Sequence, residues 1–285
     1  MGVNSRNPDS SLAGSGTGGP PTVWVHEVKT GEAVTFRLGR CGPRVLAEWP
    51  RLGTFTCESD GTDARFEPVG GAALEAVEKL KNGIVRALVG ALRGQLALHA
   101  AAIACPAGAV LFLGPSGAGK STAAAEMCLR TGAELLADDV VLLDADAVPV
   151  VVQPTEEEHW LTGPSCVALG LEDLSGPIDG GKVALRPHQR ATRATALALA
   201  VALRFDASAR GPEVRALRGT AAARSVLEAI LRVEVDDLAA RRREIEQISR
   251  LHESAPMIEL VRDPSAPGGV ADVVAAFLGV PRAVP

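Results

Sequence analysis

Positive charge is in short supply in this sequence: 29 Lys and Arg stand against 34 Asp and Glu, a net charge of −5. That balance argues against a general binder of nucleic acid or of anionic membranes, because both need a basic surface. Aromatic residues make up 3% of the chain, and Trp24, Trp49 and Trp160 are too dispersed to form a base-stacking platform. No stretch approaches the ~20 apolar residues of a membrane span. The longest, Ala196 to Phe205, is interrupted by Arg204 and suits a buried strand. The five cysteines, at 41, 57, 105, 128 and 166, form no C-x-x-C pair and have no His at zinc spacing. An odd number of scattered thiols without a charged-then-apolar leader fits reduced cysteines, so a cytoplasmic location is expected. His26, His159, His188 and His252 show no ligand spacing either.

What is present reads as a globular chain, 47% apolar and 22% charged over 285 residues, long enough for a substantial core. Residues 1–21, rich in Gly, Ser, Asn and Pro, read as a disordered tail. Between 22 and 69, short alternating runs (Thr22–Val28, Val34–Leu38, Val45–Trp49, Thr54–Cys57, Ala64–Glu67) are separated by Gly-containing turns. They predict a small antiparallel β-rich subdomain. From Gly70 to about Leu92 the apolar spacing predicts one helix. Leu96–Ala104 and Ala109–Leu113 follow as two strands, and a strand over Glu134–Ala137 leads into Asp138-Asp139. Val140–Leu143 is expected to pair with Val148–Val152. Residues 153–182 read as loop-rich with an acidic Glu156–Glu158 run, and Ala196–Phe205 as a buried strand answered by Val214–Leu217. Two helices, a strand over Met257–Val261 and a closing helix over Gly269–Leu278 complete a second domain, 70–285. The expected fold is α/β, with a mixed sheet built around the motif described next.

Residues Gly114, Pro115, Ser116, Gly117, Ala118, Gly119, Lys120, Ser121 and Thr122 form a complete G-x-x-x-x-G-K-[ST] phosphate loop. An apolar strand feeds it and a helix-compatible stretch leaves it, which is the context such a loop requires. The glycines let backbone N–H groups converge, Lys120 adds a cation for the outer phosphates, and Ser121 offers a hydroxyl to Mg²⁺. The positive end of the following helix points at the same place. A nucleoside triphosphate is the expected ligand: ATP, with GTP also compatible.

Asp138 and Asp139 end an apolar strand that returns beside the loop's own strand. In phosphate-loop enzymes a carboxylate there completes the Mg²⁺ shell begun by the loop hydroxyl. A second adjacent carboxylate suits proton abstraction from an alcohol acceptor. Which Asp takes which task is open. His99, read on the strand paired with the one feeding the loop, is expected near the same strand ends, where its imidazole can meet the acids, the acceptor or a metal.

The stretch Leu98–Leu143, LHAAAIACPAGAVLFLGPSGAGKSTAAAEMCLRTGAELLADDVVLL, resembles the catalytic core of HPr serine kinases. Those join a small-x-His strand pair, a GxSGxGKS loop and a Leu-x-Ala-Asp-Asp strand in the same order, and the phosphoenolpyruvate carboxykinase core is similar in outline. The resemblance implies that Gly114 to Thr122 hold the triphosphate and that Ser121 and one carboxylate, Asp138 foremost, hold Mg²⁺. It further implies that His99, Lys120, Asp138 and Asp139 carry the chemistry. Thr122 stands where those kinases carry an acidic residue. Their glycine- and isoleucine-rich signature is absent, and the region before Gly70 is unlike their N-terminal domain. These departures direct the resemblance to stand-alone HPr-kinase-related proteins, some of which phosphorylate a Ser or Thr of a ribosomally made peptide.

The expected activity is therefore transfer of the γ-phosphoryl group to a hydroxyl of a peptide or protein. A non-catalytic nucleotide-binding regulator or accessory protein is the alternative. Neither N-K-x-D nor L-S-G-G-Q is present, which sets aside GTPases and ABC-type ATPases. Lys182 and then Arg186 are candidate cations for the phosphoryl group or substrate. Arg241-Arg242-Arg243 reads as a solvated helix surface. A homo-oligomer is compatible with the resemblance; nucleic acid and membrane are not expected partners.

Overall fold

The computed structural model describes residues 22–171, 178–179, 181–232, 238–264 and 268–279. The tail read over 1–21, part of the loop read over 153–182 and the start of the helix expected at Asp236 lie outside them. Within the described residues, 22–81 form one compact unit and the residues from 82 onward form the other. The division falls inside the helical segment, at Lys81/Asn82, rather than at Gly70.

The first unit is a five-stranded antiparallel meander: β1 (Thr22–Thr30), β2 (Ala33–Cys41), β3 (Arg44–Trp49), β4 (Gly53–Glu58) and β5 (Arg65–Pro68), followed by α1 (Leu74–Leu80). Period-two alternation carries Val45, Ala47, Phe55 and Cys57 inward and leaves polar neighbours outside, as a half-buried sheet requires. Phe36 and Trp49 stack 5.0 Å apart. The helix expected to run unbroken to Leu92 is interrupted. Gly83 takes φ −91°, ψ −106°, a break that glycine permits cheaply, and α2 resumes over Arg86–Leu92.

The second unit holds β6 (Leu96–Leu98), β7 (Ala101–Cys105), β8 (Gly108–Leu113), α3 (Lys120–Thr131), β9 (Glu134–Asp138), β10 (Val141–Asp144) and β11 (Val151–Val152). It continues through β12 (His159–Thr162), α4 (Gly163–Ala168), β13 (Ile178–Asp179), β14 (Lys182–Leu185), β15 (Thr195–Phe205) and β16 (Glu213–Ala216). Helices α5 (Gly219–Ala229) and α6 (Leu238–Ser254), strand β17 (Met257–Arg262) and helix α7 (Val270–Leu278) complete it. The fold is mixed α/β. Strands run β16-β17-β15-β8-β7-β9 across the main sheet, with β17, β15 and β8 parallel and β7 antiparallel to both β8 and β9.

A near-continuous apolar sequence places β15 in the middle, since a parallel strand is covered on both faces. Alternate residues serve two cores. Leu199, Val201 and Leu203 join Val110 and Phe112 under α3 and α7. Ala200 and Ala202 join Leu111 and Leu113 under α5, α6 and the antiparallel strands β6, β10 and β11. The carboxyl ends of β8, β9, β15 and β17 therefore share one edge, where ligands bind in open α/β sheets.

Two expectations need correction. Leu96–Ala104 is two strands, because Leu98 pairs with Val141 on β10 whereas Ala101 pairs with Asp138 on β9. Val214–Leu217 does not answer β15. The parallel neighbours of β15 occupy both its sides, so β16 pairs with β17 instead, Val214 opposite Leu260. The described residues of the loop-rich stretch 153–182 hold β12, α4 and part of a small sheet, β12-β14-β13. None of the described helices is long and apolar enough to cross a membrane.

Candidate active site

Residues 114–122, the candidate phosphate loop, lead from β8 into α3 at the shared edge. Its glycines are required there. Gly114 has φ 142°, and a Cβ on it would lie 2.6 Å from the carbonyl oxygen of Leu203. Gly119, at φ 85°, precedes the first helical residue in the left-handed conformation. Lys120 is nearly buried and its Nζ donates to the carbonyls of Gly114 (2.9 Å) and Pro115 (3.1 Å), so the cation is tied across the loop. Burial pushes its pKa down while Asp139 and Asp138 push it back up.

From the start of α3, Ser121 Oγ donates to Asp138 Oδ1 at 2.7 Å. Two backbone N–H groups complete the Asp138 shell: Asp139 to Oδ1 (3.1 Å) and Trp160 to Oδ2 (2.9 Å). The carboxyl is 1% exposed. Burial, with the neighbouring Asp139 charge, raises its pKa to about 7 against the pull of Trp160, Ser121 and Lys182. The next residue turns sharply. Val140 N–H bonds back to the Asp138 carbonyl (3.0 Å), and Asp139 takes φ 69°, uncommon for any residue but glycine and best tolerated by Asp and Asn. Its carboxylate lies 3.6 Å from Lys182 Nζ. Lys182 reaches it because β14 pairs with β12, Lys182 opposite Thr162, and β12 is held against Asp138 through Trp160.

His99 sits not on a strand but in the step between β6 and β7. The step exists because the chain changes partner there, from β10 to β9, while those two strands are themselves separated by Asp139-Val140. Its backbone N–H donates to the Ala229 carbonyl (2.6 Å), and Nδ1 lies 3.2 Å from the Asp139 carbonyl oxygen. A carbonyl only accepts, so Nδ1 carries the proton and Nε2 keeps its lone pair. Burial first, then the Lys120 charge, lowers the His99 pKa and favours this neutral form.

His99, Lys120, Ser121, Asp138, Asp139 and Lys182 are thus brought together. Other sequence candidates lie apart from them. Thr122 turns its hydroxyl to Ser165 Oγ (2.8 Å), and Arg186 is an exposed ion-pair partner of Glu158 (2.7 Å). One further group was read only as part of an acidic loop run. Glu156, whose backbone N–H donates to the Leu136 carbonyl (3.3 Å), is raised to about 8 by burial and by Asp138, Asp139 and Glu158, against the pull of Arg86. The signal available was a third carboxylate shortly after the acid pair.

The donors present are oxygens, a hydroxyl and a carboxylate, as suits a hard cation such as Mg²⁺ that completes its shell with phosphate and water. Among the described residues no group of three or more His, Cys, Asp or Glu side chains is placed to hold a metal by itself.

No family model and no curated protein matches the chain. Among solved structures the chain is similar to "Structure of the Hpr(Ser) kinase/phosphatase from Coxiella burnetii", with 13% identity. The likeness covers 64% of this chain and 95% of that one at a TM-score of 0.32.

Proposed function

We propose that this protein is a Mg²⁺-dependent phosphotransferase that moves the γ-phosphoryl group of ATP to a Ser or Thr hydroxyl of a peptide or protein, in the manner of HPr-kinase-related enzymes. The observation that carries the reading is the 2.7 Å bond from Ser121 Oγ to Asp138 Oδ1 at the end of the phosphate loop. It joins the two oxygen donors that a nucleotide-bound Mg²⁺ takes from the protein in phosphate-loop enzymes.

Gly114 to Thr122 cradle the triphosphate, and Lys120 neutralises its outer oxygens. Ser121 and Asp138 hold Mg²⁺, which when bound draws charge from the phosphate oxygens. Asp138 would serve such an ion as the ionised carboxylate, having given up the proton that its burial favours. Asp139, less buried than Asp138, takes the proton of the acceptor hydroxyl as the hydroxyl oxygen attacks the γ-phosphorus and the bond to the β-phosphate oxygen breaks, releasing ADP. Lys182, 3.6 Å from it, pairs with that carboxylate in the resting site and offers its charge to the transferring group. Neutral His99 fixes the Asp139 backbone through Nδ1–H and presents Nε2 on the acceptor side.

The test is intact-mass measurement of a panel of Ser- and Thr-containing peptides and proteins after incubation with ATP and Mg²⁺. One phosphoryl group gained with wild type, and none with Lys120→Ala, supports transfer. Tight ATP binding with no acceptor modified across the panel favours a nucleotide-binding regulator.

A further inference from the structure

The last residue of β17, Arg262, is 1% exposed although it is an arginine. Buried arginines need partners, and this one lies beside Phe205 on β15 with its guanidinium carbon 4.7 Å from the ring centroid. Its Nη2 donates to the carbonyl oxygen of Ala118 at 2.7 Å. That carbonyl belongs to the phosphate loop, 144 residues earlier in the chain.

The peptide between Ala118 and Gly119 is trans, the sole cis bond among the described residues being Val148-Pro149. In a planar trans peptide C=O and N–H point in opposite directions. Anchoring the Ala118 oxygen toward Arg262 therefore directs the Gly119 N–H the other way. The left-handed Gly119 that follows has no side chain to intervene, and a Cβ there would lie 3.2 Å from Arg262 Nη2.

The guanidinium is itself held in place. Glu126 on α3, 1% exposed, is the carboxylate whose charge acts on it. Glu126 accepts from the N–H groups of Gly269 (3.0 Å) and Val270 (3.2 Å) at the start of α7, with Arg130 at 3.6 Å. Phe205, Arg262, Glu126 and the α7 N-terminus thus form a braced backing to the loop.

We propose that Arg262 is a positioning residue for the phosphate cradle, orienting the 118–119 peptide so that Gly119 N–H faces a bound phosphate chain. The inference rests on the nucleotide-binding part of the function proposed above and adds to it a side chain that never touches the substrate.

The test titrates Mg²⁺-ATP and Mg²⁺-tripolyphosphate against wild type, Arg262→Gln and Arg262→Lys, with circular dichroism to verify folding. Folded Arg262→Gln is expected to bind both probes about tenfold or more weakly, by a common factor, because a charge-assisted bond that shapes the phosphate site is lost. Arg262→Lys, which keeps one charged donor, is expected to recover part of that loss. Unchanged affinity in folded Arg262→Gln overturns the inference. Failure of both variants to fold also overturns it, assigning the side chain to the fold instead. Weakening for ATP but not for tripolyphosphate overturns it too, since the action would then be on the nucleoside. The titrations read binding alone, so a protein that binds ATP without transferring it still decides the role of Arg262.

Discussion

Asp138→Asn is the most informative perturbation of the site, and its effect on stability has a defined dependence on pH. The carboxyl is raised from 3.8 to about 7 by burial and by Asp139. A raised folded-state value means that the native state binds a proton more tightly than the unfolded chain. The associated stability is fully present below pH 3.8 and is lost as pH rises through about 7. At about 1.4 kcal/mol per tenfold, the loss amounts to about 4 kcal/mol. Asparagine has the shape of the protonated acid and does not ionise. Like that acid, it must turn one donor toward the N–H and O–H groups of Trp160, Asp139 and Ser121, at a cost of about 1–3 kcal/mol. The variant should therefore be close to wild type near pH 4 and gain on it by about 4 kcal/mol by pH 8.5. Urea unfolding of both proteins in EDTA, at intervals across that range, measures the difference, and groups that titrate in both cancel. Parallel stability curves would refute the burial argument for Asp138. With Mg²⁺ and ATP the same variant should lose transfer at every pH.

Four other outcomes are expected. Asp139→Asn, tolerated at φ 69°, should keep ATP affinity and melting temperature but lower transfer about 10²–10⁴-fold, the range for a general base; single-turnover kinetics checks this. Gly114→Ala drives a Cβ to 2.6 Å from the Leu203 carbonyl and should abolish nucleotide binding measured by calorimetry. His159, fully buried with its pKa lowered to about 4 by burial, favours the fold above pH 6.5, a contribution lost as pH falls toward 4. Acid unfolding of His159→Leu should accordingly lack about 3 kcal/mol of the wild-type decline in that window. Lys182→Met should reduce turnover more than ATP affinity, a split between kcat and KM that steady-state kinetics resolves.

Local features were the ones legible in the sequence. The phosphate loop is nine consecutive residues whose chemistry and turn glycines are written side by side, and the strands of the first unit announce themselves by alternation and by turn signals. What could not be read depends on partners far along the chain. Leu96–Ala104 is uniformly apolar, so no residue marks the change of neighbour that places His99 in a step. The site of Lys182 is set by pairing with β12, about twenty residues earlier, in a region whose composition says only loop. The break at Gly83 is invisible to apolar periodicity, which continues across it. Arg262 lies one residue past the strand read over Met257–Val261 and carries no local signal; only the folded chain puts the Ala118 carbonyl beside it.

The left-handed backbone at Asp139 narrows what evolution can do there. Single-base changes in an aspartate codon reach asparagine and glycine, the other two residues at ease in that conformation. On the proposed function, either would leave a chain that folds and grips its nucleotide while having lost the acid at 139. Drift at this one codon would then turn a transferase into an intact but silent receptor, and descendants of that kind would pass every assay of folding while failing the assay of turnover.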